Sequence, residues 1–210
     1  MRRKTCFSIF AFMIAEGCYY TSNVKKYMLR LFLFAIISEI PFNLIMGSSV
    51  FYPFHQNVLW TFLLGVLSIQ IIEKAKKKQK KWISFFVVCL VLLMDFLLGT
   101  ITMVDYNAAG ILTVLLFYFF RKKTWISFAA QLVGLYYLNV VMLGNLYYPV
   151  TILGHHFEIA QQSFALLALI PIWLYHGEQG YHSKCFKYFC YAFYPVHFLI
   201  LFVIWQWRIR

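Results

Sequence analysis

Eight long apolar stretches, separated by short polar segments, dominate the pattern along this chain. A helix that crosses a lipid bilayer needs roughly 20 mostly apolar residues, and most of these stretches approach that length. The pattern therefore predicts an all-α fold, a polytopic transmembrane helix bundle of about eight helices that form one domain over residues 1–210. The predicted helices cover residues 6–22, 27–46, 57–73, 82–100, 106–120, 125–148, 161–175 and 186–206.

Basic residues are concentrated in three segments between these helices, and they orient the bundle. The basic residues are Lys25, Lys26 and Arg30, the run Lys74–Lys81 (KAKKKQKK) and Arg121–Lys123. Cytoplasmic loops of membrane proteins carry an excess of Lys and Arg. With these three segments in the cytoplasm, the loops 47–56, 101–105 and 149–160 are external, the loop 176–187 is cytoplasmic, and the C-terminus is external. Arg2–Lys4 then lie outside, against the rule.

Composition also places the chain in the bilayer. It is 62% hydrophobic and 12% charged, whereas soluble domains are about half apolar and about a quarter charged. A net charge of +12 would suit a nucleic-acid-binding protein, but the charge is confined to short runs between apolar segments. We therefore expect the lipid bilayer, and no nucleic acid, as a partner. The five scattered cysteines form no CxxC or Cys/His spacing and predict neither a metal site nor a disulfide framework.

A polar cluster between the second and third predicted helices is the best indication of chemistry. It comprises Ser38-Glu39-Ile40-Pro41-Phe42 and His55-Gln56-Asn57. Polar groups at a membrane boundary need either partners or a function. Glu39 has a structural alternative in local repair of the helix at Pro41, and Asn57 has one as an N-cap. Capping does not explain His55, whose neutral imidazole accepts a proton near pH 7.

Four further polar residues in apolar surroundings have both a structural and a functional interpretation. Glu16 and Asp95 lie within predicted helices and can pair with a neighbouring helix, although carboxylates inside a membrane often mark functional sites. Asp105 opens the fifth helix, where an acidic side chain complements the helix dipole. His197 lies in the last helix, just after Pro195, which opens the backbone locally.

A second group of polar residues lies in the predicted external loop. Adjacent residues of an extended segment point in opposite directions, so of His155, His156 and Glu158 only the last two share a face. We expect exposed histidines there and no metal site. Gln161 and Gln162 follow at a helix start and are candidates for lining a polar cavity.

Five sets of motifs are spread over essentially the whole chain. They are Phe12–Phe42 (FMIAEGCYYTSNVKKYMLRLFLFAIISEIPF), His55–Val58 (HQNV) with Thr61–Gly65 (TFLLG), Asp105-Tyr106 with Gly110, residues 166–171 (LLALIP) and Phe193–His197 (FYPVH). In this combination the chain resembles the TraX family. Named members are conjugal transfer proteins associated with acetylation of the pilin N-terminus, and the family looks related to multi-pass membrane acyltransferases. Family members usually begin with an extra helix that ends in Asp-His, and the resemblance implies that this chain starts after that helix.

The resemblance implies a function and a set of site residues. The function is that of an integral membrane acyltransferase of the bacterial cytoplasmic membrane, which acetylates an acceptor peptide amine or an envelope glycan hydroxyl from acetyl-CoA, with no metal. The family's motifs fall on Glu16, Lys25, Lys26, Arg30, Glu39, His55, Gln56, Asn57, Asp105 and His197.

Acyl transfer needs a base for the acceptor and donors for the developing oxyanion. We expect His55 or His197 to be the base. Either Glu39 or Asp105 would orient the imidazole.

The remaining motif residues are expected to bind substrate. Gln56 and Asn57 are candidate donors to the oxyanion or acceptor, and Glu16 is a further candidate. Lys25, Lys26 and Arg30 would attract the CoA phosphates, although membrane topology alone also explains them.

Two other functions fit the same residues. In a small transporter or channel, Glu16, Glu39, Asp95 and His197 would line a polar path. The sequence has no internal repeat of the kind that many transporters carry. The third interpretation is a non-catalytic membrane assembly partner, which a truncated start would favour.

Overall fold

A computed structural model of the chain describes residues 2–47, 49–144, 147–152, 155–178 and 183–209. Within these residues, eight helices confirm the predicted all-α bundle, and each lies on one of the predicted apolar stretches. They are α1 (Arg2–Tyr20), α2 (Val24–Gly47), α3 (Val58–Lys78), α4 (Lys81–Ile101), α5 (Asn107–Phe119), α6 (Trp125–Tyr136), α7 (Leu169–Leu174) and α8 (Lys184–Ile209).

Four helical stretches are long and apolar enough to cross a membrane. These are Val24–Gly47, Val58–Lys78, Lys81–Ile101 and Trp125–Met142. Shorter apolar stretches make up the remaining helices, namely Cys6–Tyr20, Asn107–Phe119, Gln162–Leu174 and Ala192–Trp207. Helices of this length and composition suggest a membrane protein, in agreement with the predicted class.

Two helices include segments that depart from α-helical geometry. α6 continues as a π-helical segment, Tyr137–Met142, and α7 is preceded by a 3₁₀ segment, Gln161–Ala168. In the π-helical segment, the fully buried Asn139 donates a hydrogen bond from Nδ2 to the carbonyl oxygen of Leu135, at 3.0 Å. A polar side chain inside the bundle is thus satisfied by its own helix.

A two-stranded antiparallel hairpin occupies the segment that the sequence predicted as an external loop. β1 (Tyr147–Ile152) pairs with β2 (His155–Ala160). β1 contains aromatic and β-branched residues (YYPVTI), which favour an extended conformation. The expectations for the side chains of His155, His156, Glu158 and Gln161 lie outside the residues whose side chains the structure describes.

α5 is the centre of the bundle, where it packs against α1, α3, α4 and α6. Its residues Val114 and Phe117 are fully buried. Glycines on the neighbouring helices allow close approach: Gly65 of α3 faces Val114, and Gly99 of α4 lies against the backbone of Ala108. Because lipid is as apolar as the side chains, helix association in a bilayer depends on close contacts of this kind.

α1 runs beside α5 in the same direction. Phe7 stacks on Tyr106 with ring centroids 3.8 Å apart, and further along Phe12 contacts Phe117 edge-on at 5.7 Å. α5 has 13 residues, so its ends are about 20 Å apart at the usual rise of an α-helix. A polar cluster lies at each of these two ends.

Candidate functional site

At the predicted external end of α5, two loops that are far apart in sequence pair through their backbones. The Gln56 N–H donates to the carbonyl oxygen of Met103, and the Asp105 N–H donates to that of Gln56, both at 3.0 Å. After α4 the chain turns sharply, with φ of 50° at Met103, 64° at Tyr106 and 48° at Asn107. These left-handed conformations are uncommon for residues other than glycine. The turn brings Asp105 beside the segment that carries His55.

His55 and Asp105 form the central contact of this site. His55 Nε2 lies 3.5 Å from Asp105 Oδ1, and both side chains are partly exposed. The Phe42 ring stacks on the imidazole at 5.6 Å, and the Thr61 hydroxyl donates to the Asp105 carbonyl oxygen at 2.6 Å. The hydrogen bond with Asp105 raises the pKa of His55, and this effect outweighs the opposing effect of burial. Asp105 thus contacts Nε2 of the imidazole, and Nδ1 is left for another partner.

Glu39 lies beside this pair in a network of its own. Its Oε2 accepts hydrogen bonds from Asn57 Nδ2 at 2.5 Å and from Trp60 Nε1 at 3.0 Å. Its Oε1 is buried and has no hydrogen-bond partner among the described residues. The carboxylate therefore keeps one acceptor oxygen for a further donor.

The two predicted amide donors are held differently. Asn57 caps α3, as predicted, by accepting from the Leu59 N–H, while its Nδ2 donates both to Glu39 and to the carbonyl oxygen of Ala35. Both amide hydrogens of Asn57 are thus used within the protein. Among the described residues, Gln56 Nε2 donates one of its two hydrogens, to the Pro53 carbonyl oxygen at 3.2 Å. Gln56 therefore remains available as a donor to a substrate.

The structure does not bring His197 into this cluster. Its Nδ1 lies 3.2 Å from the carbonyl oxygen of Phe193, one turn earlier in α8, and its ring stacks on Phe193. Tyr194 and Phe198 of the same helix face the site instead. Phe198 packs against Phe42, and Tyr194 lies close enough to Val58, Asp105 and Glu39 to interact with them electrostatically.

A second polar cluster surrounds a cavity of about 200 Å³ at the other end of α5. Glu16 of α1 forms an ion pair with Arg121, with 3.2 Å between Oε1 and Nε. The Arg121 guanidinium also lies over the Tyr19 ring, 3.3 Å from its centroid. Glu16 is therefore about a helix length away from His55, at the end that the basic loops place in the cytoplasm.

Lys123 closes the same cavity by donating hydrogen bonds to the carbonyl oxygens of Trp173 and Tyr175, at the end of α7. Lys25 and Lys26 are exposed and do not line this cavity. Arg30 lies over the Tyr27 ring at 6.0 Å. The predicted basic group is thus separate from the cations at the cavity.

Asp95 lies in neither cluster. It is buried between α3 and α4, where it accepts a hydrogen bond from the Ser68 hydroxyl at 2.6 Å. In the described part of the chain, no three His, Cys, Asp or Glu side chains lie close enough together to hold a metal ion. Glu16, Glu39 and Asp95 have their partners on three different pairs of elements.

Three residues of the two polar clusters were not predicted from the sequence to belong to a site. Trp60 lies one turn after Asn57, so helical spacing alone would have placed it near the same partner. Tyr194 is part of the FYPVH motif, of which only His197 was predicted to be a site residue. Arg121 was assigned to topology, and only its packing on α1 distinguishes it from the other basic residues.

Comparison with known proteins identifies one family. The sequence model of the family described as TraX protein matches residues 3–205. No curated protein and no solved structure matches the chain.

Proposed function

Because the chain belongs to the TraX family, we propose that it is a multi-pass acyltransferase of the bacterial cytoplasmic membrane. Family membership itself suggests a conjugation-related, pilin-associated membrane protein. The proposed reaction transfers an acetyl group from acetyl-CoA to an acceptor, either a pilin-like peptide amine or a hydroxyl of an envelope glycan. Acetyl-CoA is a substrate in this scheme, and the reaction uses no metal.

The contact between His55 and Asp105 carries the proposal. Asp105 Oδ1 faces Nε2 of the imidazole at 3.5 Å, and in the proposed scheme it holds the proton on Nε2 and so leaves Nδ1 as the basic nitrogen. His55 Nδ1 takes the proton of the acceptor amine or hydroxyl while the acceptor attacks the thioester carbonyl. A C–N or C–O bond forms, the C–S bond breaks, and His55 returns the proton to the leaving thiolate.

Neighbouring residues supply binding and orientation. The second amide hydrogen of Gln56 would donate to the developing oxyanion in this scheme. Glu39 Oε1 is a buried acceptor that suits an N–H or O–H of the acceptor molecule. Asn57 orients Glu39 in this scheme, because both of its amide hydrogens are already used.

The acyl donor would approach from the opposite side of the membrane. Lys25, Lys26 and Arg30 would attract the CoA phosphates. The cavity beside Glu16 adds Arg121 and Lys123 on the same predicted side. The thioester end of acetyl-CoA would then have to extend along the α1–α5 axis, so that the acceptor can attack the thioester carbonyl beside His55.

The test is acetyl transfer by the reconstituted protein, with labelled acetyl-CoA and a pilin-like peptide or a glycan as acceptor. His55→Ala is expected to lower turnover by roughly 100-fold or more, the usual contribution of a general base. His197→Ala is the matched control, since it removes an imidazole that lies outside the cluster, and it should retain most of the activity. Full turnover by the His55→Ala variant would contradict this assignment of the base. Failure of the wild-type protein to consume acetyl-CoA would favour a transporter or an assembly partner.

A further inference from the structure

The turn between α3 and α4 carries the densest positive charge in the chain. Six lysines lie between residues 73 and 81, together with the single carboxylate of Glu73. They end one helix of membrane-spanning length and begin the next. Membrane topology explains an excess of positive charge there, but it requires no particular arrangement of the side chains.

Two of these six lysines, Lys76 and Lys81, line a shallow cavity of about 280 Å³ between the two helices. Its lining residues are Lys76, Gln79, Lys81, Ser84, Phe85 and Val88. Lys76 Nζ lies 4.2 Å above the Phe119 ring centroid and 3.8 Å from Glu73 Oε1, so this ammonium group is held in place. The Ser84 hydroxyl donates to the carbonyl oxygen of Ala75 at 3.0 Å and ties the two helices together.

α4 offers an apolar surface directly beside this cavity. Within the apolar part of α4, only 17% is buried inside the protein, against 28–39% for the apolar parts of the other three stretches of membrane-spanning length. Trp82, Phe85 and Phe86 are exposed at the level of the lysines, and Leu90 and Leu93 continue the exposed surface along the helix. Aromatic side chains at this position are typical of the membrane–water interface.

We propose that this cavity binds the phosphate group of an anionic phospholipid, whose acyl chains lie along the exposed face of α4. Lys76 and Lys81 supply the charge that the phosphate requires, and the amide group of Gln79 supplies a hydrogen-bond donor. A soluble phosphate compound would meet the same lysines but would leave the aromatic and aliphatic surface of α4 unused. The observations therefore favour a lipid, and the inference does not depend on the acyltransferase proposal.

The test is lipid retention by the full-length protein, purified in detergent and measured by native mass spectrometry. The protein is given an equimolar mixture of phosphatidylglycerol and phosphatidylcholine, and retention of phosphatidylglycerol is expected to dominate. The double variant Lys76→Gln/Lys81→Gln should lower that retention roughly 30-fold, given the usual contribution of each lysine at an anionic membrane surface.

The matched control is Lys77→Gln/Lys78→Gln, which removes the same charge from the same run but leaves the cavity lining intact. It should retain phosphatidylglycerol within about twofold of the wild-type protein. Equal losses of phosphatidylglycerol in the two double variants would overturn the proposed site, because general attraction to the positive charge would then explain the retention. Displacement of the lipid by excess inorganic phosphate would overturn the lipid assignment in favour of a soluble ligand. Lys76→Arg/Lys81→Arg keeps the charges and should keep the preference, which separates loss of binding from loss of folding.

Discussion

The protonation state of His55 depends on the carboxylate next to it. The imidazole acts as a base only when neutral, and the hydrogen bond with Asp105 raises its pKa. Acetyl transfer is therefore expected to increase with pH through this raised pKa. Asp105→Asn removes the hydrogen bond that raises the pKa of His55. The acidic limb of the pH–rate profile should therefore move to lower pH. The plateau rate should fall as well, because the ring loses its orientation.

Glu39→Gln is the control for this prediction. Glu39 makes the smallest of the contributions that raise the pKa of His55, so its removal should shift the limb in the same direction by less. The measurement is the pH–rate profile of the wild-type protein and both variants at saturating acetyl-CoA. A profile that stays in place in the Asp105→Asn variant would mean that a different group titrates.

At the residue scale, sequence reasoning identified the members of the site better than their contacts. It named His55 and Asp105 as candidates on one side of the membrane. Their approach depends on a turn with left-handed residues at Met103 and Tyr106, and these residue types give no sign of that conformation. The sequence also does not predict which face of α8 packs against the site. It therefore gave no reason to prefer Tyr194 over His197 as a residue near His55.

At the scale of helices, close packing of α4 on α5 fixes the turn that holds Asp105. A Cβ added at Gly99 would lie 2.5 Å from the backbone nitrogen of Ala108, which cannot move as a flexible side chain can. Gly99→Ala is therefore expected to push the two helices apart, to destabilise the protein by roughly 1–3 kcal/mol and to lower acetyl transfer.

The control for this change is Gly17→Ala. The Cβ added there would meet the hydroxyl of Tyr27 at 3.0 Å, near the end of a side chain that can adjust. Denaturation in mixed micelles compares the two variants with the wild-type protein. Equal effects on stability would show that the contact between α4 and α5 has no special importance.

Hydropathy predicted the helices well because a bilayer demands long apolar segments, and that demand is visible in composition. All eight predicted stretches became helices within the described residues. The hairpin of β1 and β2 was not predicted, because a short apolar run does not distinguish a strand from a loop without its pairing partner. The π-helical continuation of α6 has no signal in the hydrophobic pattern either.

At the scale of the whole molecule, the ion pair between Glu16 and Arg121 anchors α1 to the far end of α5. The side chains are only 15% and 22% exposed, so Glu16→Gln leaves a largely buried guanidinium without its counter-ion. We expect a loss of roughly 2 kcal/mol in the free energy of unfolding. Partial exposure keeps the loss below the roughly 3–5 kcal/mol of a fully buried pair.

Glu73→Gln is the matched control, because it makes the same substitution in the exposed pair with Lys76. That pair should contribute about 0.5 kcal/mol or less. Both variants are measured by denaturation in mixed micelles. If the two substitutions had equal effects, the ion pair would not be an anchor of α1.

Two helices that are long and apolar enough to cross a membrane, α3 and α4, separate His55 from Asp105 along the chain. Two crossings return a chain to the side that it left, so both residues emerge on one side of the bilayer whichever way the bundle is inserted. The pairing of Gln56 with Met103 needs only this helical hairpin to be in place. Reversing the whole bundle would change the compartment that His55 faces, while the contact with Asp105 would survive.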